Sequence, residues 1–244
     1  MEWVILAVAA LLIGLAKTSF GGLASISVAM LALAMPTKES TAAALLMLLT
    51  GDVIAVIRYR KAADWKLLRG LIPAVVPGLL LGALFLSMVD DLVLKRSIGV
   101  LLLIFVLMQL ATKVMNRQPQ ADDDRPPHRA LTVTAGVMAG FTTMAANAAG
   151  PVMAIYLQLA KVEKLRFLGT GAWYFFIINL AKTPLTASLG LFTPRVLTTG
   201  ALMAPAVLVG ALVGMAVIGK VPQRLFDIVT LLTSVIAAGA LIVL

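Results

Sequence analysis

The chain has 244 residues, no cysteine, and a single histidine, His128. Without thiols there is no disulfide and no thiolate metal site. With its one imidazole in a hydrophilic stretch, the chain also lacks a His base for an intramembrane serine peptidase. Charged residues make up 13% of the chain, against about 25% in a soluble domain. Acidic residues number eleven and only Asp52 stands deep in an apolar run, so metal transport, which wants several buried carboxylates or imidazoles, lacks its ligands. No stretch matches G-x-x-x-x-G-K-[ST], which excludes a P-loop ATP motor on this chain. What abounds is apolar: 61% of residues are hydrophobic and the mean hydropathy is +1.03. That excludes an ordinary cytosolic enzyme and makes the bilayer the solvent for most of the surface. The formal charge of +9 is then expected in cytoplasmic loops and not on a nucleic-acid face. Met1-Glu2-Trp3 lacks a cationic leader, and no small-residue cleavage site precedes Lys17, so the first apolar stretch reads as a retained membrane segment and not as a signal peptide.

Charges and turn residues divide the chain into apolar runs at 3–35, 41–57, 67–89, 92–112, 130–160, 167–192, 196–218 and 225–244. Two are the wrong length. A span needs roughly 20 residues, whereas one helix over the first run would reach about 50 Å and each half of it only about 21 Å. The first run is broken at Gly14-Leu15-Ala16-Lys17-Thr18-Ser19-Phe20-Gly21-Gly22, and the run at 130–160 at Gly140-Phe141-Thr142-Thr143-Met144-Ala145-Ala146-Asn147-Ala148-Ala149-Gly150-Pro151. Both read as helix-break-helix elements. They recur within an internal repeat: Pro77-x-x-Leu80-x-Gly82-Ala83-Leu84 returns as Pro205-x-x-Leu208-x-Gly210-Ala211-Leu212, and the same offset carries Arg96 to Arg224 and Gly22 to Gly150. If both breaks are re-entrant hairpins, fourteen of the twenty Lys and Arg fall in loops on one side, four on the other and two are embedded; if both are bent spans, the split is ten to eight. The positive-inside rule favours hairpins. A hairpin plus three spans per half inverts the second half relative to the first, the architecture of many secondary transporters, and leaves both termini outside. Residues 115–129, rich in Asp and Pro, form the linker between the halves.

Ionisable residues within the apolar runs are few, and each is a functional hypothesis by default. Lys17 stands at the first break beside Thr18, Ser19 and the pair Gly21-Gly22. Glycine there lets backbone N–H groups face a ligand at the positive end of the following half-helix, a combination that suits an anion. The bland alternative, a lysine snorkelling from a helix end, sits poorly with a position in mid-run. The second break offers Thr142, Thr143 and Asn147 with Gly150 and Pro151, neutral donors where the first break has a cation; back-bonding of the Thr residues to their own helix is the competing reading. Asp52 and Asn179 are counterparts in the repeat, and Lys182 lies one turn beyond Asn179. Asp52 is free to pair with Lys17 or with Lys182, or to take up a proton in a transport cycle. Gly78-x-x-x-Gly82 and Gly210-x-x-x-Gly214 are helix-packing signals.

These stretches, from Gly14 to Gly22 and from Gly140 to Pro151, with Phe167-Leu168-Gly169-Thr170-Gly171-Ala172-Trp173 and Asn179-Leu180-Ala181-Lys182, together resemble the TauE/SafE family, also called the toluene-sulfonate uptake permease family. The resemblance covers essentially the whole chain. It implies a polytopic inner-membrane protein that moves small anions such as sulfite, sulfonates or sulfoacetate without ATP. The chain departs from many members in its short Gly21-Gly22 run and in Asn147 and Ala149-Gly150, where others carry His or a Gly pair, and this leaves the substrate open.

The expectation is therefore an all-α polytopic membrane protein of two inverted repeats, 1–114 and 130–244, each a re-entrant or broken helical hairpin plus three transmembrane helices. Its substrate-binding set is Lys17, Ser19, Gly21, Gly22, Thr143, Asn147, Gly150, Asn179 and Lys182, with Asp52 for coupling. No catalytic residue, metal or cofactor is expected, and no nucleic acid. The expected partners are a small anion and the lipid bilayer of a bacterial inner membrane, with a homo-oligomer and a coupling proton left open. The rival readings are a passive anion channel and a non-transporting accessory subunit.

Overall fold

A computed structural model describes residues 2–19, 23–114, 129–160, 162 and 164–217. The linker at 115–128, the apolar run at 225–244, and Gly21 and Gly22 lie outside the described residues. Within them the chain is all helical: α1 (Glu2–Thr18), α2 (Leu23–Ala34), α3 (Thr37–Tyr59) with a 3-10 turn at Arg60–Ala62, α4 (Trp65–Met88), α5 (Asp91–Val114), α6 (Arg129–Ala146), α7 (Gly150–Leu159), α8 (Lys164–Ser188) and α9 (Pro194–Val217).

Polar residues between apolar runs set the starts of these helices. Asp64 caps α4 by accepting from the N–H groups of Lys66 and Leu67 at 3.0 and 3.2 Å, and Asp90 accepts from Val93 N–H at 2.7 Å where α5 begins. The first turn of α3, Thr37 to Ser40, extends that helix beyond the expected apolar run. It is stabilised from outside, because Asp91 accepts from the Lys38 N–H at 2.8 Å. Both long apolar runs are two helices each. The first breaks after Thr18 and resumes at Leu23; the second is narrower than expected, since α6 runs through Gly140 and Thr143 and stops only at Asn147 to Ala149. At 17, 12, 18 and 10 residues, these four helices are about 15 to 27 Å long, each shorter than the ~30 Å hydrocarbon layer. By contrast α3, α4 and α9 are long and apolar enough to cross a membrane.

Two helix pairs pack most extensively, α4 on α6 and α1 on α9, and glycine makes both possible. A methyl group on Gly78 would collide with the Val137 carbonyl, and one on Gly140 with that of Val75. On the other pair, Gly14 faces the Val207 carbonyl and Gly210 that of Leu11 in the same way. Backbone rests on backbone at these four points, the close approach that small residues allow where lipid offers no hydrophobic drive between helices. Gly82 and Gly214 continue the two contacts against Phe141 and Leu15. The outer faces of α4 and α9 expose Leu80, Leu81, Leu84, Leu202, Leu208 and Leu212, as lipid-facing helices should. The more central α3 and α8 pack on each other and carry the buried polar residues Thr41, Asp52, Thr170, Asn179 and Lys182.

Candidate functional site

The broken ends of α1 and α6 are held by side chains from elsewhere. At the end of α1, Ser19 donates from both its N–H and its hydroxyl to the Leu15 carbonyl, Tyr59 donates to the Thr18 carbonyl at 2.9 Å, and Thr18 donates to the Ala211 carbonyl at 2.8 Å. At the end of α6, Asn147 adopts a left-handed conformation, φ +50°, which Asn tolerates better than most residues. Its N–H closes onto the Thr143 carbonyl at 3.0 Å, a left-handed helix stop. The Asn147 amide then donates across to the Thr41 carbonyl of α3 at 3.0 Å.

The embedded charges form two clusters. In the first, Lys17 Nζ lies 2.5 Å from Asp52 Oδ1 and 4.4 Å from the centre of the Phe175 ring, while Asn179 Nδ2 donates to Asp52 Oδ2 at 2.6 Å. Both carboxylate oxygens of a wholly buried Asp52 are thus occupied, as a charge in a low-dielectric interior requires. In the second, Lys182 Nζ donates to the Thr143 carbonyl at 2.7 Å, to Asn147 Oδ1 at 2.5 Å and to Thr143 Oγ1 at 3.3 Å. Three acceptors match its three N–H donors, and the ammonium stands at the negative end of α6, where a cation is favoured.

Between the clusters lies a cavity of about 90 Å³. Its polar wall consists of Lys17, Ser19, Asp52, Thr143, Asn147, Gly150 and Asn179, and its apolar wall includes Leu48, Phe167, Leu168, Ala172 and Phe175. Gly150, the first residue of α7, and Ala24, in the first turn of α2, both line it, so the positive ends of two half-helices border the space. The structure brings seven of the expected residues around one void. Lys182 stands behind that wall, supporting Thr143 and Asn147 from the far side. Of the pairings open to Asp52, the structure selects Lys17.

Sequence reasoning missed Thr41 as the acceptor for Asn147, Tyr59 as the tie to α1, and the aromatic wall. The wall left a faint trace: Leu168, Gly171, Phe175, Asn179 and Lys182 recur every three or four residues and so share one stripe of α8. Since α8 is apolar on its other faces too, the stripe has no amphipathic contrast to betray it. Among the described residues no three His, Asp or Glu side chains gather as a metal site would need.

Chemically, the arrangement can hold an anion. Lys17 and Asp52 are the charged side chains lining the cavity among the described residues, Lys182 adds a positive charge behind the wall, and the half-helix ends add partial positive charge. A family model described as "Sulfite exporter TauE/SafE" matches residues 6–241. No curated protein and no solved structure matches the chain.

Proposed function

Because the chain belongs to the TauE/SafE family of sulfite exporters, a family of membrane transporters and not of enzymes, we propose that it carries small sulfur-containing anions of the sulfite, sulfonate or sulfoacetate type by alternating access. The observation that carries this reading is the cavity at which two helix breaks meet, with Lys17, Asp52 and two half-helix N-termini around it and Lys182 behind its wall. Lys17 attracts the anion, and Ser19, Thr143, Asn147 and Asn179 orient its oxygens. The Gly150 end of α7 supplies backbone donors, and Gly21 and Gly22 belong to the same binding set. Lys182 acts through Asn147 and Thr143, and Asp52 is the coupling residue.

The two halves, 1–114 and 130–244, act as inverted repeats that rock against each other. Support comes from the exchange of partners, α1 of one half on α9 of the other and α6 on α4, each through glycines at backbone contact. The packing of α1 on α2 and of α6 on α7 supports re-entrant hairpins over bent spans. The protein resides in a bacterial inner membrane with its cationic loops inside.

The test is purified protein alone in liposomes, with sulfite, thiosulfate, sulfoacetate, taurine, sulfate and small carboxylates offered in turn, alongside thermal shift in detergent. A ligand raises apparent stability by RT ln(1 + [L]/Kd). Saturable uptake with counterflow for an anion that also stabilises the protein is expected. Ohmic flux without counterflow indicates a channel, and no movement of any anion indicates an accessory subunit; either overturns the reading.

A further inference from the structure

We infer that this site takes a divalent oxyanion together with one proton, and that the proton goes to Asp52. The inference rests on the anion-transport reading above and specifies the charge state in which the same site is filled. The space beside Lys17 is not vacant in this structure. Asp52 occupies its ammonium at 2.5 Å and Phe175 covers another side at 4.4 Å, so an incoming anion competes with a carboxylate that belongs to the protein.

Charge counting decides the outcome. The charged groups that face Asp52 are Lys17 on α1 and Lys182 on α8. From the other packed elements, α2 has no ionisable residue, α9 has only Arg195 in its first turn, paired with Glu2, and the ionisable residues of α5 lie in its outer turns. With Asp52 ionised and both lysines protonated, the interior carries one net positive charge, which a monoanion balances. A dianion would leave a net negative charge in a medium of low dielectric, beside a carboxylate deprived of its lysine. Such a group neutralises instead of staying charged. A proton on Asp52 removes that charge and frees Lys17, and the filled site is neutral again.

The neighbour of Asp52 suits both states. Asn179 now donates its amide N–H to Oδ2. Rotated by half a turn about its last bond, it presents a carbonyl oxygen that accepts from a protonated carboxyl. Asp52 therefore keeps Asn179 as a hydrogen-bond partner on either side of the proton transfer.

The experiment is titration calorimetry of the wild type in two buffers of different ionisation enthalpy, at a pH where the probes do not titrate. Sulfate and thiosulfate serve as dianions, methanesulfonate as monoanion, and Asp52→Asn is run in parallel. Expected are uptake of one proton per dianion bound, none per methanesulfonate, and dianion binding without uptake in Asp52→Asn. Dianion binding with no proton uptake in the wild type, the same uptake in a folded Asp52→Asn, or binding of methanesulfonate alone overturns this inference and leaves anion transport standing. Binding of no anion overturns both. The comparison of dianion with monoanion is made on the wild type, so it stands even where the variant fails to fold.

Discussion

Lys17→Met and Asp52→Asn remove the two ends of one ion pair, yet they should not be equally harmful. Both line the cavity, but Asp52 is wholly buried whereas Lys17 keeps 9% of its side chain exposed. Lys17→Met leaves a buried carboxylate held by Asn179 alone, and breaking a buried pair in this way costs about 3–5 kcal/mol. Asp52→Asn keeps hydrogen-bonding capacity toward Asn179 and leaves an ammonium that cavity water can solvate, a loss of about 1–2 kcal/mol. With about 2–4 °C per kcal/mol for a chain of this size, unfolding in detergent should fall by roughly 6–20 °C for the first variant and roughly 2–8 °C for the second. The double variant Lys17→Met/Asp52→Asn removes both charges and should recover to within about 2 kcal/mol of the wild type, giving a coupling energy of at least about 2 kcal/mol. Anion binding should not recover with it, because the attracting charge is gone. Thermal melts of the four proteins, with and without ligand, measure both effects. Additive single losses, or a Lys17→Met no less stable than Asp52→Asn, would refute the pairing argument; restored binding in the double variant would refute the role of Lys17.

Three further outcomes follow from the packing. Gly78→Ala and Gly14→Ala each drive a methyl into an opposing carbonyl, so both should be among the most destabilising alanine substitutions in the chain, whereas Gly171→Ala meets no atom within 4 Å and should melt as the wild type does. Since Gly171 also lines the cavity, its variant should nevertheless change anion affinity, read as a smaller ligand-induced thermal shift. Asn147→Gly and Asn147→Ala both lose the ties to Lys182 and Thr41, but the alanine must also enter the left-handed region at about 1–2 kcal/mol; the glycine variant should melt higher by about that amount, and equal stabilities would argue against the strained stop. Tyr59→Phe removes the donor to the Thr18 carbonyl and should lose about 1 kcal/mol, with weakened anion binding because the first break is loosened.

Much of the fold was legible because hydrophobicity along a membrane chain is a local quantity. Runs too long for one span and too short for two located both breaks, and the embedded Lys17, Asp52, Asn147, Asn179 and Lys182 announced themselves by being polar where polarity is costly. The small-residue spacing at Gly78 and Gly210 predicted close helix packing, and both sites rest on opposing backbone. Partnership was not legible. Asp52 had two lysines to choose between, and the contacts of Lys182 with Thr143 and Asn147 at the end of α6 could not be read from its place in the sequence.

By itself, then, the sequence determined the class of the protein, the number and length of its apolar runs, the position of its breaks and the handful of polar residues embedded in them. These follow from the transfer of single side chains between water and hydrocarbon, a free energy that each residue carries wherever the chain runs. The tertiary structure alone decided that Lys17 rather than Lys182 meets Asp52, that Asn147 reaches Thr41 of α3, and that Phe167 and Phe175 face a cavity instead of lipid. Those choices depend on which faces of α3 and α8 meet, and an apolar helix in an apolar solvent has no contrast along its sequence to say which face turns inward.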